Sequence, residues 1–276
     1  MKFKKNTGIT LVEILISIII GTISAAAIFY SYNIFNKSYQ SVVDKANMSS
    51  AARNAISMIL KDLRNAGYCD INYNKSCERM IEKKDNHYAE VKNYNVNYYQ
   101  YHSIGGTDYL SIEYNTSATD RNEIRYYLAA YDRNNLKEAN GRSTFYLARE
   151  IIENPTSSNP KKVFCERYWE QKNCEPNIIV NYVTDFQIVF KGSDGKELND
   201  VCFSCATQSF KDNQAKVHTV EIYLTVRSPN EIYNKKKEVI ITNHDPNKKG
   251  LQQTINDRYH RETFFASAYL RNIVKN

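Results

Sequence analysis

From Ile9 to Leu63 the chain contains no proline, and the only glycine in that stretch is Gly21. So long a run without a backbone breaker leaves few options besides helix. Its first part, Ile9 to Tyr30, counts 22 residues, of which 15 are aliphatic or Phe and one, Glu13, is charged. As a helix this part is about 33 Å long, enough to cross the hydrocarbon core of a bilayer. Beyond it Phe35, Tyr39, Val42, Ala46, Ser49, Ala52, Ile56, Ile59/Leu60 and Leu63 recur at three- and four-residue steps. That spacing marks one apolar face of a helix. An anchor followed by a separate amphipathic helix fits the pattern. So does one helix of about 58 residues, roughly 87 Å, and the lack of any linker favours it. Gly67 offers a stop.

Lys2, Lys4 and Lys5 precede the apolar run. Cations on that side keep the N-terminus cytoplasmic and send the rest across. Ala25-Ala26-Ala27 resembles the small-residue site at which an ordinary secretory signal is cut. Two features count against that reading: the apolar core starts at once after Gly8, and it carries a carboxylate near its start. A carboxylate inside a bilayer costs about 2.5–3.5 kcal/mol at the centre and less near an end. Glu13 therefore needs a partner, and the sequence offers none within the segment. A cut after Gly8 would give Ile9 a free ammonium at nearly the depth of Glu13. A neighbouring subunit shifted along the axis could then set its own Glu13 against that ammonium.

Lys4-Lys5-Asn6-Thr7-Gly8 followed by Ile9-Thr10-Leu11-Val12-Glu13 resembles the class III signal of type IV pilins and type II secretion pseudopilins. The resemblance implies cleavage between Gly8 and Ile9 by a prepilin peptidase, N-methylation of Ile9, and a role for Glu13 in registering subunits during assembly. The family usually has Phe where this chain has Ile9. Asp62-Leu63-Arg64-Asn65-Ala66-Gly67-Tyr68 is similar to the helix end of PilW/PulJ-type minor pilins. Val220 to Pro229 and Arg261 to Asn272 are similar to that family's late strands. These matches cover the first 68 residues and about the last 60; residues 70–215 match no family pattern. The resemblance implies an α+β fold, with a long N-terminal helix packed on a β-rich head. It divides the chain into a leader (1–8), a helix (9–66, membrane-spanning over 9–30) and a head (67–276).

The rest of the sequence fits such a head. Alternating runs predict strands at Tyr94–Tyr101, Tyr109–Tyr114, Glu123–Tyr131, Thr144–Ile152, Ile178–Phe190, Val217–Val226 and Val239–Thr242. Gly105-Gly106 and Ser193-Asp194-Gly195-Lys196 read as turns. Residues 68–93 read as irregular, and the polar segment Asn243–Arg258 as mobile. By period alone Phe264–Val274 fits a helix; the resemblance makes it a strand. The cysteines form three sequence neighbours, Cys69/Cys77, Cys165/Cys174 and Cys202/Cys205. Outside the cytoplasm disulfides are expected of them, with local pairing only the simplest of many arrangements.

Catalytic sets are absent from the sequence. His87, His102, His218, His244 and His260 make no metal-protease spacing, and no glycine-rich phosphate loop occurs. Asp194, Glu197 and Asp200 lack the spacing of a calcium loop. Cys202 and Cys205 lack the further ligands a zinc site needs. No enzyme activity, cofactor or metal is expected. Net charge is +7, and residues 1–8 hold three lysines and no acid, so their loss leaves +4, too mild to predict nucleic-acid binding. The expected partners are other minor pilins, the major pilin, a prepilin peptidase and the inner membrane, with the protein later moving to the pilus surface. A minor pseudopilin of type II secretion, the PulJ-like role, shares the helix and strand order. A head of 210 residues also leaves room for an adhesin or DNA-binding module mounted on a pilin stem.

Overall fold

The computed structural model describes residues 10–66, 81–85, 108–115, 121–130, 145–153, 177–198, 217–242, 244 and 252–270. One helix, α1, runs unbroken over Leu11–Asn65, 55 residues. The strands are β1 (Ile81–Asp85), β2 (Asp108–Asn115), β3 (Arg121–Ala130), β4 (Phe145–Glu153), β5 (Ile178–Lys191), β6 (Thr219–Glu231), β7 (Lys237–Thr242), β8 (Gln252–Asp257) and β9 (Tyr259–Tyr269). The chain divides into two compact units, Met1–Ala46 and Asn47–Asn276. The first consists, among the described residues, of α1 alone, exposed at every position from Thr10 to Gln40.

The second unit holds the end of α1 and all the strands. Seven strands form one sheet in the order β1-β2-β3-β4-β5-β6-β9, and β7 pairs with β8 in a separate ribbon. Every pairing is antiparallel. Met48, Ala52, Ala55, Ile56, Ile59, Leu63 and Ala66 bury one stripe of α1 in a core with Leu110, Ile112, Ile124, Leu147, Phe186, Ile188, Phe190, Ile222 and Leu224 of the sheet. The stripe is the three- and four-residue spacing of the sequence, and its alanines are fully buried. Burying Ile59 and Leu63 contributes about 1.5–3 kcal/mol each. The architecture is therefore a long N-terminal apolar helix whose end packs on an antiparallel sheet.

A charged cluster is buried inside this contact. Asp62 on α1 accepts a hydrogen bond from the Tyr126 hydroxyl of β3 and one from Arg149 Nε of β4 at 2.8 Å. Arg149 Nε also lies 3.1 Å from the Tyr126 oxygen. Tyr126 and Arg149 are direct cross-strand neighbours, so the antiparallel register presents both to the helix. Burial disfavours the charged Arg149 guanidinium, but the bond and charge of Asp62 outweigh this and hold its pKa above the ordinary value. Burial first, and then the bond to Asp62, push the Tyr126 hydroxyl well above the ordinary tyrosine range.

Two irregularities shape the sheet. Tyr182 has φ 59°, a left-handed backbone uncommon outside glycine. The ladder passes from Tyr146↔Asn181 to Phe145↔Val183, leaving Tyr182 as the extra residue of a bulge. On β6 the pairing skips from Arg227 to Glu231. Pro229 lies in the gap and has no N–H to donate. The Ser228 hydroxyl substitutes for ladder groups, donating to Asn230 O at 2.7 Å and accepting from His260 N at 3.1 Å.

The face of the sheet opposite α1 receives the β7–β8 ribbon. Gln187 of β5 accepts from His244 N at 2.6 Å and donates to Thr242 O at 3.4 Å. His244 stacks on Tyr223, with ring centroids 3.7 Å apart. Asp257 at the end of β8 pairs bidentately with Arg261 of β9, at 2.6 and 2.7 Å.

Most of the strands expected from alternation are present, from β2 to β7, and the terminal segment is the strand β9. The turn at Ser193–Lys196 forms, with Gly192 N donating to Lys196 O at 2.9 Å and Gly195 at φ 75°. Two expectations are corrected. Residues 68–93 include β1, whose charged sequence Ile-Glu-Lys-Lys-Asp hides its alternation. Asn243–Arg258 includes β8, whose Ile255 and Asp257 face inward, and is not simply a polar loop. Tyr94–Tyr101 and Gly105-Gly106 lie outside the described residues.

Removing one partner from a buried charge pair is more damaging than the pair is stabilising. Asp62→Ala should lower the unfolding free energy by about 3 kcal/mol in chemical denaturation of the detergent-solubilised chain. Arg53→Ala, at an exposed position of the same helix, should leave it nearly unchanged. Alkaline pH gives a second check. Free tyrosine loses its proton near 10, whereas folded Tyr126 retains it to higher pH. The folded state therefore binds more protons than the unfolded state there, and stability falls as pH rises past 10. Tyr126→Phe should show a shallower alkaline loss than the parent chain.

Candidate functional site

The chemistry expected at the N-terminus depends on how α1 begins. Thr10 precedes the first helical residue. Its carbonyl accepts from Glu13 N at 3.0 Å and Ile14 N at 3.3 Å, and its hydroxyl accepts from Glu13 N at 3.3 Å. The Glu13 carboxylate reaches back, accepting from Thr10 N at 3.4 Å and lying 3.5 Å from Thr10 Oγ1. This is a capping box, in which a hydroxyl and a carboxylate three residues apart satisfy each other's backbone N–H groups. Acid in the first turn also complements the positive end of the helix dipole.

This geometry corrects one expectation. Glu13 does have a partner in its own segment, the N-cap Thr10. The Thr-x-x-Glu spacing at 10–13 is the signature that shows it in the sequence. The contacts to the carboxylate are long and the side chain is exposed. They leave it able to accept a further donor.

Other polar groups of the segment are turned to the helix's own backbone. Ser17 Oγ donates to Glu13 O at 2.7 Å, Thr22 Oγ1 to Ile19 O at 2.9 Å, and Ser24 Oγ to Ile20 O at 2.8 Å. Hydroxyls bonded in this way add little polarity to the helix surface. What remains is aliphatic: Leu11, Val12, Ile14, Leu15, Ile16, Ile18, Ile19, Ile20 and Ile23 are all more than half exposed. They surround the helix, whereas a water-soluble helix confines such residues to one stripe. Gly21 lies in open space, with no heavy atom within 4 Å of where a Cβ would stand. The helix is long and apolar enough to cross a membrane.

Gly8 and Ile9, and all six candidate disulfide cysteines (Cys69, Cys77, Cys165, Cys174, Cys202, Cys205), lie outside the described residues. Asp194 forms a turn: its carboxylate accepts from Lys196 N at 3.0 Å, which is the main reason its pKa is lowered. Asp200 is outside the described residues. Among the described residues no cluster of His, Cys, Asp and Glu could hold a metal ion. Of the three described histidines, His244 and His260 serve contacts within the head: His244 stacks on Tyr223, and His260 Nδ1 meets the Tyr233 hydroxyl at 2.8 Å. His218 lies near the Tyr269 ring, at 6.1 Å between centroids. Burial lowers the His244 pKa.

A family model for the prokaryotic N-terminal methylation motif matches residues 3–29. Among solved structures, a type IV-like pilin from Thermus thermophilus is similar at a TM-score of 0.44 and 9% identity, covering 82% of this chain and 97% of that chain. No curated protein matches the chain in sequence. The N-terminal segment, with Glu13 in its first helical turn, carries the prokaryotic N-terminal methylation motif.

Proposed function

We propose that this chain is a minor pilin that takes part in type IV pilus assembly, initiating or capping the filament by helix packing. In this reading a prepilin peptidase cuts between Gly8 and Ile9, and Ile9 becomes the methylated N-terminus. Residues 9–30 hold the subunit in the inner membrane with its N-terminus cytoplasmic. Residues 67–276 form the head outside the cytoplasm, where the cysteines pair. Other minor pilins and the major pilin are the partners, and the subunit ends at the cell surface in the filament.

One observation carries the proposal. The methylation motif over residues 3–29 leads without a break into a 55-residue helix whose first part is apolar and exposed on every side. Such a surface is stable in lipid, and it is equally suited to a bundle of identical or related helices. In either setting the chemistry is association. Glu13 supplies the one charge in the apolar run. When the Ile9 ammonium of a neighbour comes within reach, Glu13 exchanges its long contacts with Thr10 for a charge-assisted bond, which is stronger. That exchange sets the axial stagger between subunits.

Hydrogen bonds to charged groups contribute about 1.5–3 kcal/mol, or roughly tenfold or more in an association equilibrium. Glu13→Ala should therefore insert in the membrane at the parent level but lower surface pilus yield about tenfold or more. Membrane fractionation and quantitation of sheared pili check this. Parent-level pilus yield from the variant would contradict the registration role.

A further inference from the structure

The aromatic residues of α1 are unevenly placed. None occurs from Leu11 to Ile28, and then Phe29, Tyr30, Tyr32, Phe35 and Tyr39 follow within eleven positions. All five are strongly exposed, between 61% and 73%. Ser31, Asn33, Asn36, Ser38 and Gln40 are interleaved with them, and Lys37 is the first charge after Glu13. At about 100° per residue the five rings spread over roughly 220° of the helix circumference. A single partner helix contacts a narrower stripe. Rings spread this widely suit a medium that surrounds the helix.

We infer that the side chains from Phe29 to Phe35 form a belt that seats α1 in the lipid headgroup layer of the leaflet opposite the N-terminus. The inference rests on the membrane reading of α1 and adds to it what holds the helix at its depth. Tyrosine combines an apolar ring with a polar hydroxyl and concentrates where a bilayer meets water. The axial distances agree. Thr10 to Tyr30 spans about 30 Å of helix, the thickness of the hydrocarbon core. The N-cap and Glu13 then lie at one boundary and the first rings at the other. Lys37 follows about 10 Å beyond Tyr30, with a side chain long enough to reach back toward phosphate. The headgroup layer is about 5–8 Å thick, so Phe35, about 8 Å beyond Tyr30, lies at its outer edge, and Tyr39, about 14 Å beyond, lies outside it.

This placement also lowers the cost of Glu13. It lies about 5 Å inside the near boundary, where a carboxylate reaches headgroups and water, and not at the bilayer centre. The belt thus sets the depth at which the registering carboxylate is held.

Depth-resolved quenching tests the belt in the full-length chain. Tyr30→Trp and Ile20→Trp are reconstituted in phosphatidylethanolamine–phosphatidylglycerol vesicles with bromine either near the headgroup or near the midplane. The parent protein, with its single Trp169, supplies the background. Tyr30→Trp should be quenched more by headgroup-proximal than by midplane bromine, and Ile20→Trp the reverse. If midplane bromine quenches Tyr30→Trp more strongly, the boundary lies elsewhere and the belt is refuted. If neither lipid quenches Tyr30→Trp while midplane bromine still quenches Ile20→Trp, the rings are covered by protein or lie in water, which also refutes it. If neither variant is quenched, the helix is not in the bilayer, and it is the membrane reading that falls.

Discussion

One backbone ladder, the hydrogen bonds of α1 from Leu11 to Asn65, must serve two surroundings. Up to Gln40 every side chain is exposed, and most of those before Phe29 are aliphatic. From Met48 onward a stripe of apolar residues is buried against the sheet. In water the first stretch would be an aggregation hazard. In lipid, or among like helices, it is the stable form, since all its backbone groups are satisfied internally. A helix without a breaker is what allows the change of surroundings without a change of structure. A proline or a glycine pair near residue 40 would interrupt it.

Asp62 shows how the second stretch is held. Its carboxylate stands among apolar neighbours and is satisfied by Tyr126 and Arg149, which the register of β3 and β4 sets side by side. Apolar packing alone would tolerate a helix that slides or rotates on the sheet. A buried charge with two partners penalises such slippage, because displacement leaves it unpaired.

Much of this is legible in the sequence. Helical spacing identifies the buried stripe, and Phe186, Ile188 and Phe190 alternate with Asp185, Gln187 and Val189 as a strand between two covered faces should. What is not legible depends on distant residues. No local signal links Asp62 to an arginine 87 positions later. Nothing near Tyr182 announces a left-handed bulge at a large residue; strand pairing on either side enforces it. β1 and β8 are short and polar, and their pairing partners define them more than their composition. At the candidate site Glu13 is evident as a lone charge in an apolar run. Its capping role is written in the Thr-x-x-Glu spacing of Thr10–Glu13, a local signal separate from the apolar pattern around it.

The central claim is that the segment before Ile9 is a signal and that Ile9 begins the working protein. Mass spectrometry of the protein purified from its native membranes, with sequencing of its N-terminal peptide, tests this most directly. The account predicts a terminus at Ile9 carrying one added methyl group, with residues 1–8 missing. A chain that retains Met1–Gly8, or one cut after the alanines at 25–27, would contradict it.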